Sequence, residues 1–243
     1  MGGRKDLRIL LLQIRDNQNV RNEEHQSFAN FSKLEVHQIE ILNVFDTASF
    51  KTSLLDKFDA LYVGGASEAN VLEPDKYPFV KNCIELLRYA AEISKPTFAS
   101  CFGFQLAVLA FGGVILNKEK GYEMGTVQIS LTDKAKSDLV YQGIEDRFPA
   151  VSVHRQYAST IPDPLEILAY TEQCIHSFKY KNKPLWAFQF HPEVDRETLV
   201  KRLTIFSKHY TDNTEHLKEV LDSAVETPES NILLGNFVER VLL

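Results

Sequence analysis

Disulfides and zinc knuckles have little to build on in this sequence. Its three cysteines, Cys83, Cys101 and Cys174, are odd in number and far apart, with no CxxC pair and no His/Cys cluster at ligand spacing. That argues against a disulfide framework or a zinc finger and for a reducing compartment. Long apolar runs are missing too. After Met1-Gly2-Gly3-Arg4-Lys5-Asp6 the aliphatic stretch Ile9 to Leu12 stops at Gln13, too short for a signal sequence or a membrane span. Nor is there a basic cluster: 33 acidic against 27 basic residues give a formal net charge of -6, so no nucleic-acid partner is expected. We find no repeat and no low-complexity linker. The chain reads as soluble and cytoplasmic, without membrane association.

What is present is ordinary for a globular protein. At 44% hydrophobic and 25% charged residues over 243 positions, the composition excludes a disordered, collagen-like or coiled-coil chain. A chain this long buries roughly 70% or more of its unfolded surface, enough to hold a core without covalent staples. The 16 Phe and 9 Tyr fall at core spacings and need no cofactor to explain them.

Periodicity predicts alternating strands and helices over the first half. Leu7 to Ile14 reads as a strand buried on both faces, Glu23 to Lys33 as an amphipathic helix and Val36 to Leu42 as a second strand. Phe58 to Val63 is a strand stopped by Gly64-Gly65. Pro78 to Ile93 is a helix, Pro96 to Ser100 a strand, and Phe102 to Phe111 an apolar helix closed by Gly112-Gly113. This order implies an open, mostly parallel, doubly wound sheet. Beyond Glu123 the texture becomes alternating Thr, Val, Ile and Ser (126–132, 150–153, 166–170, 175–180), which predicts antiparallel additions to the same sheet. Leu185 to Phe190 is one more strand. The tail reads as helices over Thr198–His209, Glu215–Glu226 and Asn231–Val241. The expected fold is therefore α/β, a three-layer flavodoxin-like architecture with helices on both faces, in a single domain (1–243) with a core over about 7–195 and a helical extension over 196–243.

Thr97-Phe-Ala-Ser-Cys101-Phe-Gly-Phe-Gln105 places a cysteine where a buried strand turns into a helix. There a side chain stands at the carboxyl edge of the sheet, and the helix N-terminus favours a thiolate. Gly103 permits the tight turn. An isolated cysteine in an apolar strand is most often inert core filler, and local context leaves both readings open. In Trp186-Ala-Phe-Gln-Phe-His191-Pro-Glu193, Pro192 biases His191 towards an extended backbone. His191 and Glu193 then share one side, so the carboxylate can orient the imidazole while the other ring nitrogen faces a thiol. Cys83 and Cys174 read as packing residues, and His25, His37, His176, His209 and His216 show no shared ligand spacing.

These segments resemble class I (triad-type) glutamine amidotransferases, and among them free-standing, GMP-synthase-like proteins. Cys101-Phe-Gly-Phe-Gln105 resembles the family's Cys-x-Gly-x-Gln motif and Phe188-Gln-Phe-His191-Pro-Glu193 its Gln-Phe-His-Pro-Glu motif. Val63-Gly64-Gly65, Gly121-Tyr-Glu-Met-Gly125 and Val153-His154-Arg-Gln match three further landmarks in the right order. The resemblance implies Cys101 as nucleophile towards the γ-carboxamide of L-glutamine, His191 as base and then acid, and Glu193 as its orienter. It implies N–H groups of Gly65 and Phe102 as the oxyanion hole, worth of order 3 kcal/mol per donor. Gly64, Gln105, His154, Arg155 and Gln156 are the implied substrate-binding residues, although His154 also fits a turn and Gln105 a helix cap. No cofactor and no metal are implied. No synthetase domain is recognisable, so ammonia would pass to a separate synthetase subunit or be released. Ala99 and Ala66 replace the family's usual Gly and Pro, which removes no catalytic group. A γ-glutamyl peptidase acting on another γ-glutamyl substrate would use the same chemistry; a non-catalytic regulatory relative, or a stress protein of the same superfamily, would lack part of Cys, His and Glu.

Overall fold

The computed structural model describes residues 3–119, 121–206 and 214–243. Eleven strands occur among them: β1 Ile9–Gln13, β2 Ile39–Asn43, β3 Ala60–Val63, β4 Thr97–Ser100, β5 Val114–Asn117, β6 Glu123–Leu131, β7 Arg147–His154, β8 Gln156–Thr160, β9 Leu165–Tyr170, β10 Ile175–Tyr180 and β11 Leu185–Phe188. The helices are α1 Gln18–Ser32, α2 Phe79–Glu92, α3 Phe102–Ala110, α4 Arg196–Ile205, α5 Thr214–Ser223 and α6 Pro228–Phe237. Nine strands form one sheet in the order β2-β1-β3-β4-β11-β10-β9-β6-β7, and β5 with β8 makes a separate antiparallel ribbon. The first five run parallel and the last four antiparallel. This is the expected α/β fold, a mostly parallel central sheet extended by antiparallel strands.

Successive residues of a strand face opposite ways, and β1 shows how an unbroken aliphatic run feeds two cores. Leu10 and Leu12, with Leu61 and Val63 of β3, pack under α2 and α3 against Leu86, Leu87 and Leu106. Ile9 and Leu11, with Tyr62, face the other side, where α1 and α6 contribute Phe28, Leu233 and Phe237. Trp186, Phe188 and Phe190 all lie in that second core. Helices on both faces therefore cover the sheet.

Several boundaries differ from the sequence reading. Helix α1 begins five residues before Glu23, because Asn17 caps it by accepting from the N–H groups of Asn19 and Val20. Val36–Gln38 is a 3-10 turn preceding β2. Strand β11 stops at Phe188, since Gln189 and His191 donate their N–H groups to His176 and Val151. Helix α6 starts at Pro228, whose missing N–H costs nothing in a first turn, and ends in a π-turn over Val238–Leu242. The end of the helix read as Thr198–His209 lies outside the described residues. Among the described residues no helix is long and apolar enough to cross a membrane.

Candidate active site

Because β1, β3, β4 and β11 are parallel neighbours, their carboxyl ends open on one edge, where open α/β sheets bind ligands. Arg15, Gly64-Gly65, Cys101 and His191 follow those four strand ends. Cys101 sits at the N-cap of α3 with φ 51° and ψ -100°, a backbone that L-residues rarely adopt. Its own N–H donates to Phe188 at 2.7 Å and its carbonyl accepts from Gln105 at 3.1 Å, fixing the elbow from both sides. Gly103 has to be glycine for the helix to approach β3. A Cβ there would stand 2.8 Å from the Val63 carbonyl oxygen, and its N–H donates to Gly64 at 3.2 Å.

The Cys101 thiol stands beside the His191 imidazole, close enough to act on its charge, and His191 Nδ1 lies 2.7 Å from Glu193 Oε1. The thiol also points at the Val153 carbonyl, 3.9 Å away on β7. His191 is 6% exposed and Glu193 wholly buried, so water screens this chain of groups little. Burial alone would push the imidazole down, but the adjoining Cys101 and Glu193 raise it to about 9. Burial likewise opposes ionisation of Glu193, yet His191 and Arg202 hold its carboxyl below the usual range. Burial raises the thiols of Cys83 and, to about 12, Cys174, which sets both apart from a free nucleophile.

The Gly64-Gly65 loop is tightly enclosed. A Cβ on Gly64 would meet the Glu24 carboxylate at 2.9 Å; one on Gly65 would meet His191 Cε1 at 2.8 Å and Arg15 Nη2 at 2.9 Å. Gly64 uses both backbone groups inside the protein, donating to Leu12 and accepting from Gly103. The N–H groups of Gly65 and Phe102 donate to no carbonyl or side chain among the described residues. Two free donors thus flank Cys101, as an oxyanion hole requires.

Arg15 and Glu24 are missed by sequence reasoning. Arg15 is 1% exposed, donates to Glu24 Oε1 at 2.8 Å and Ser67 Oγ at 3.0 Å, and lines a pocket with Ala66, Ser67, Val153 and His191. Burial pushes the Glu24 carboxyl up, and Arg15 and Arg202 oppose it. The one available signal is a charged residue closing an aliphatic run. A second missed residue is Asn231 of α6, whose Nδ2 donates to the carbonyls of Pro192 and Val194, both at 2.9 Å, bracketing Glu193.

The remaining expected residues gather beside β8. Gln105 Nε2 donates to the Gln156 carbonyl at 3.2 Å and reaches Gln189 Oε1 at 3.4 Å. Gln156 Nε2 donates to Asn117 at 3.0 Å. The Arg155 guanidinium lies over the Tyr122 ring, 4.5 Å from its centre. Both ring nitrogens of His154 are engaged, Nδ1 with the Gln156 carbonyl and Nε2 with Glu123.

Comparison with known proteins gives this arrangement a context. The chain is 32% identical over 116 residues to the glutamine-hydrolysing GMP synthase subunit of Methanocaldococcus jannaschii, covering 47% of this chain and 57% of that protein. It is 31% identical over 142 residues to the corresponding protein of Methanococcus vannielii, covering 53% and 72%. Against several such archaeal relatives the chain spans about half the length of the protein it matches, and it spans 19% of the GMP synthase of Borreliella burgdorferi. The fold matches a glutamine amidotransferase from Thermotoga maritima with a TM-score of 0.75 at 17% identity, covering 97% of this chain and 98% of that one. A glutamine amido transferase from Methylobacillus flagellatus gives 0.66 at 17% identity, with 98% and 92% covered. The family model that matches residues 16–206, a span containing the elbow, the Gly-Gly loop and the His-Pro-Glu segment, is glutamine amidotransferase class-I, and the chain belongs to that family.

Proposed function

We propose that this protein hydrolyses L-glutamine through a Cys101–His191–Glu193 triad and that the ammonia goes to an acceptor protein separate from this chain. The observation that carries the reading is the strained Cys101 at a helix N-terminus, standing beside an imidazole that is itself hydrogen-bonded to a buried carboxylate. The cysteine thiolate attacks the γ-carboxamide carbon, and the oxygen of the tetrahedral adduct takes its negative charge towards the N–H groups of Gly65 and Phe102. The His191 imidazolium gives its proton to the nitrogen, the C–N bond breaks, and ammonia leaves a γ-glutamyl thioester on Cys101. Neutral His191 then takes a proton from water. The hydroxide attacks the thioester, and glutamate departs as the thiolate is regenerated. Gln105 and the backbone of residues 154–156 are assigned to the end of the site that receives the α-amino and α-carboxyl groups. Residues 1–243 act as one unit in this account.

The names of the archaeal relatives, glutamine-hydrolysing subunits, support an acceptor on another chain. Steady-state release of glutamate from glutamine and from γ-glutamyl dipeptides by the purified protein tests the substrate. We expect turnover of glutamine, with dipeptides slower by roughly tenfold or more. Turnover of the dipeptides alone would assign the chain to γ-glutamyl conjugates instead.

A further inference from the structure

On the far side of the wall that faces Cys101, four side chains meet that the proposed hydrolysis does not use. Glu123 opens β6, His154 closes β7 directly opposite it in register, Cys174 ends the β9–β10 turn and His176 lies on β10. One donor atom from each falls within 4.8 Å of the others. Glu123 Oε2 is the hub, 3.0 Å from His154 Nε2, 2.6 Å from His176 Nε2 and 3.8 Å from Cys174 Sγ. Sequence spacing gives no sign of this set, because pairing of the antiparallel strands is what makes residues 123, 154, 174 and 176 neighbours.

The hydrogen bonds around His154 restrict what can join these atoms. Nδ1 is 2.9 Å from the Gln156 carbonyl, which can only accept, so that nitrogen carries a ring proton. In the neutral ring Nε2 then turns a lone pair towards a carboxylate oxygen, and two acceptors at 3.0 Å repel unless a positive centre lies between them. A ring N–H given to a backbone carbonyl is also how metal-ligating histidines are commonly oriented. Thr171 Oγ1 fixes the other Glu123 oxygen at 2.8 Å, and the His176 ring is stacked on Phe190. The donors are therefore positioned by a supporting layer of their own.

We infer that Glu123, His154, Cys174 and His176 form a binding site for a divalent transition-metal ion, with Zn2+ the best fit. Two imidazoles, a thiol and a carboxylate suit a borderline-soft tetrahedral ion, whereas Mg2+ and Ca2+ take oxygen ligands. Tetrahedral bonds of about 2.0–2.3 Å set ligands roughly 3.3–3.8 Å apart. The thiol is already at that range, and the imidazoles part from the carboxylate by less than about an ångström. Cys174 loses its thiol proton to solvent on binding. With four protein ligands the site is closed and structural. It ties β6, β7 and β10 together and braces the strand whose Val153 carbonyl faces the nucleophile.

The test uses the full chain carrying Cys101→Ser, so that the thiol beside His191 cannot bind metal, stripped with chelator and titrated in parallel with Zn2+ and Co2+. We expect one equivalent of each per chain. Co2+ gives thiolate-to-metal charge transfer in the near ultraviolet and the intense visible bands of tetrahedral coordination. A further Cys174→Ser removes the charge transfer, His176→Gln weakens Zn2+ binding by roughly 10-fold or more, and Zn2+ raises the unfolding temperature of the parent more than that of either variant. If His176→Gln fails to fold, the near-isosteric Cys174→Ser decides alone. Zn2+ binding no tighter in the parent than in Cys174→Ser, or a Co2+ spectrum that Cys174→Ser leaves unchanged, overturns the inference.

Discussion

At the scale of single residues, the account rests on groups that are costly to place. A non-glycine residue at φ 51° costs about 1 kcal/mol or more, and Cys101 is held there by backbone bonds on both sides. His191 makes a prediction about pH. A histidine raised to about 9 stabilises the fold fully below its ordinary value of about 6.5, and that stabilisation is lost as pH rises through about 9. In the proposed hydrolysis the same proton is the acid that releases ammonia, so the alkaline limb of kcat/KM is expected near pH 9. Glu193→Gln removes a charge that raises the imidazole, and a pH–rate profile is expected to show the limb moved lower. Gly65 makes a second prediction: Gly65→Ala sets a methyl 2.8 Å from His191 Cε1. We expect kcat/KM to fall by roughly 10-fold or more, and the overpacked loop to cost about 1–3 kcal/mol of stability, read as a lower unfolding temperature. At this scale the sequence makes Cys101, His191 and Glu193 visible, because an elbow and a His-Pro-Glu strand end are local patterns. Arg15 and Glu24 stay hidden, since a buried ion pair bridging a strand end and a helix has no local pattern.

At the scale of elements, the carboxyl-terminal helix gains a purpose. Leu233, Leu234, Phe237 and Val238 of the tail are fully buried against the second core, as the amphipathic pattern of residues 232–241 suggests. What the pattern does not reveal is Asn231, which holds the two carbonyls around Glu193 and is itself held by Thr227 Oγ1 at 2.9 Å. Asn231 acts through the His-Pro-Glu segment as a positioning residue. Asn231→Ala is expected to lower kcat by about 10-fold with KM within about twofold, and to shift the alkaline limb of the pH–rate profile. A merely structural role would lower stability and leave that limb in place. Helices and buried strands are legible in the sequence where periodicity is strong, as in α2 and β1. The start of α1 is not, because a single Asn17 cap outweighs the polar stretch that follows it. Strands β5 and β8 also escape, since they pair only with each other and lie off the main sheet.

At the scale of the whole molecule, the parallel order β1-β3-β4-β11 is what makes a site. It brings positions 15, 65, 101 and 191, dispersed over most of the chain, to one edge. Alternating strands and helices imply such an edge before any coordinates. The order in which four antiparallel strands extend the sheet is not implied, because nothing local specifies which β-rich segment pairs with which. That extension places Val153 opposite the Cys101 thiol and creates the Glu123 cluster behind it. The central claim, that Cys101 carries the acyl group of glutamine, is tested most directly by acid-quenched mass spectrometry of the protein mixed with excess glutamine. We predict a mass increase equal to glutamine less ammonia, mapped to the peptide containing Cys101, with both the adduct and glutamate release lost in Cys101→Ser of unchanged unfolding temperature. An adduct on another residue, or undiminished glutamate release by that variant, would contradict the account.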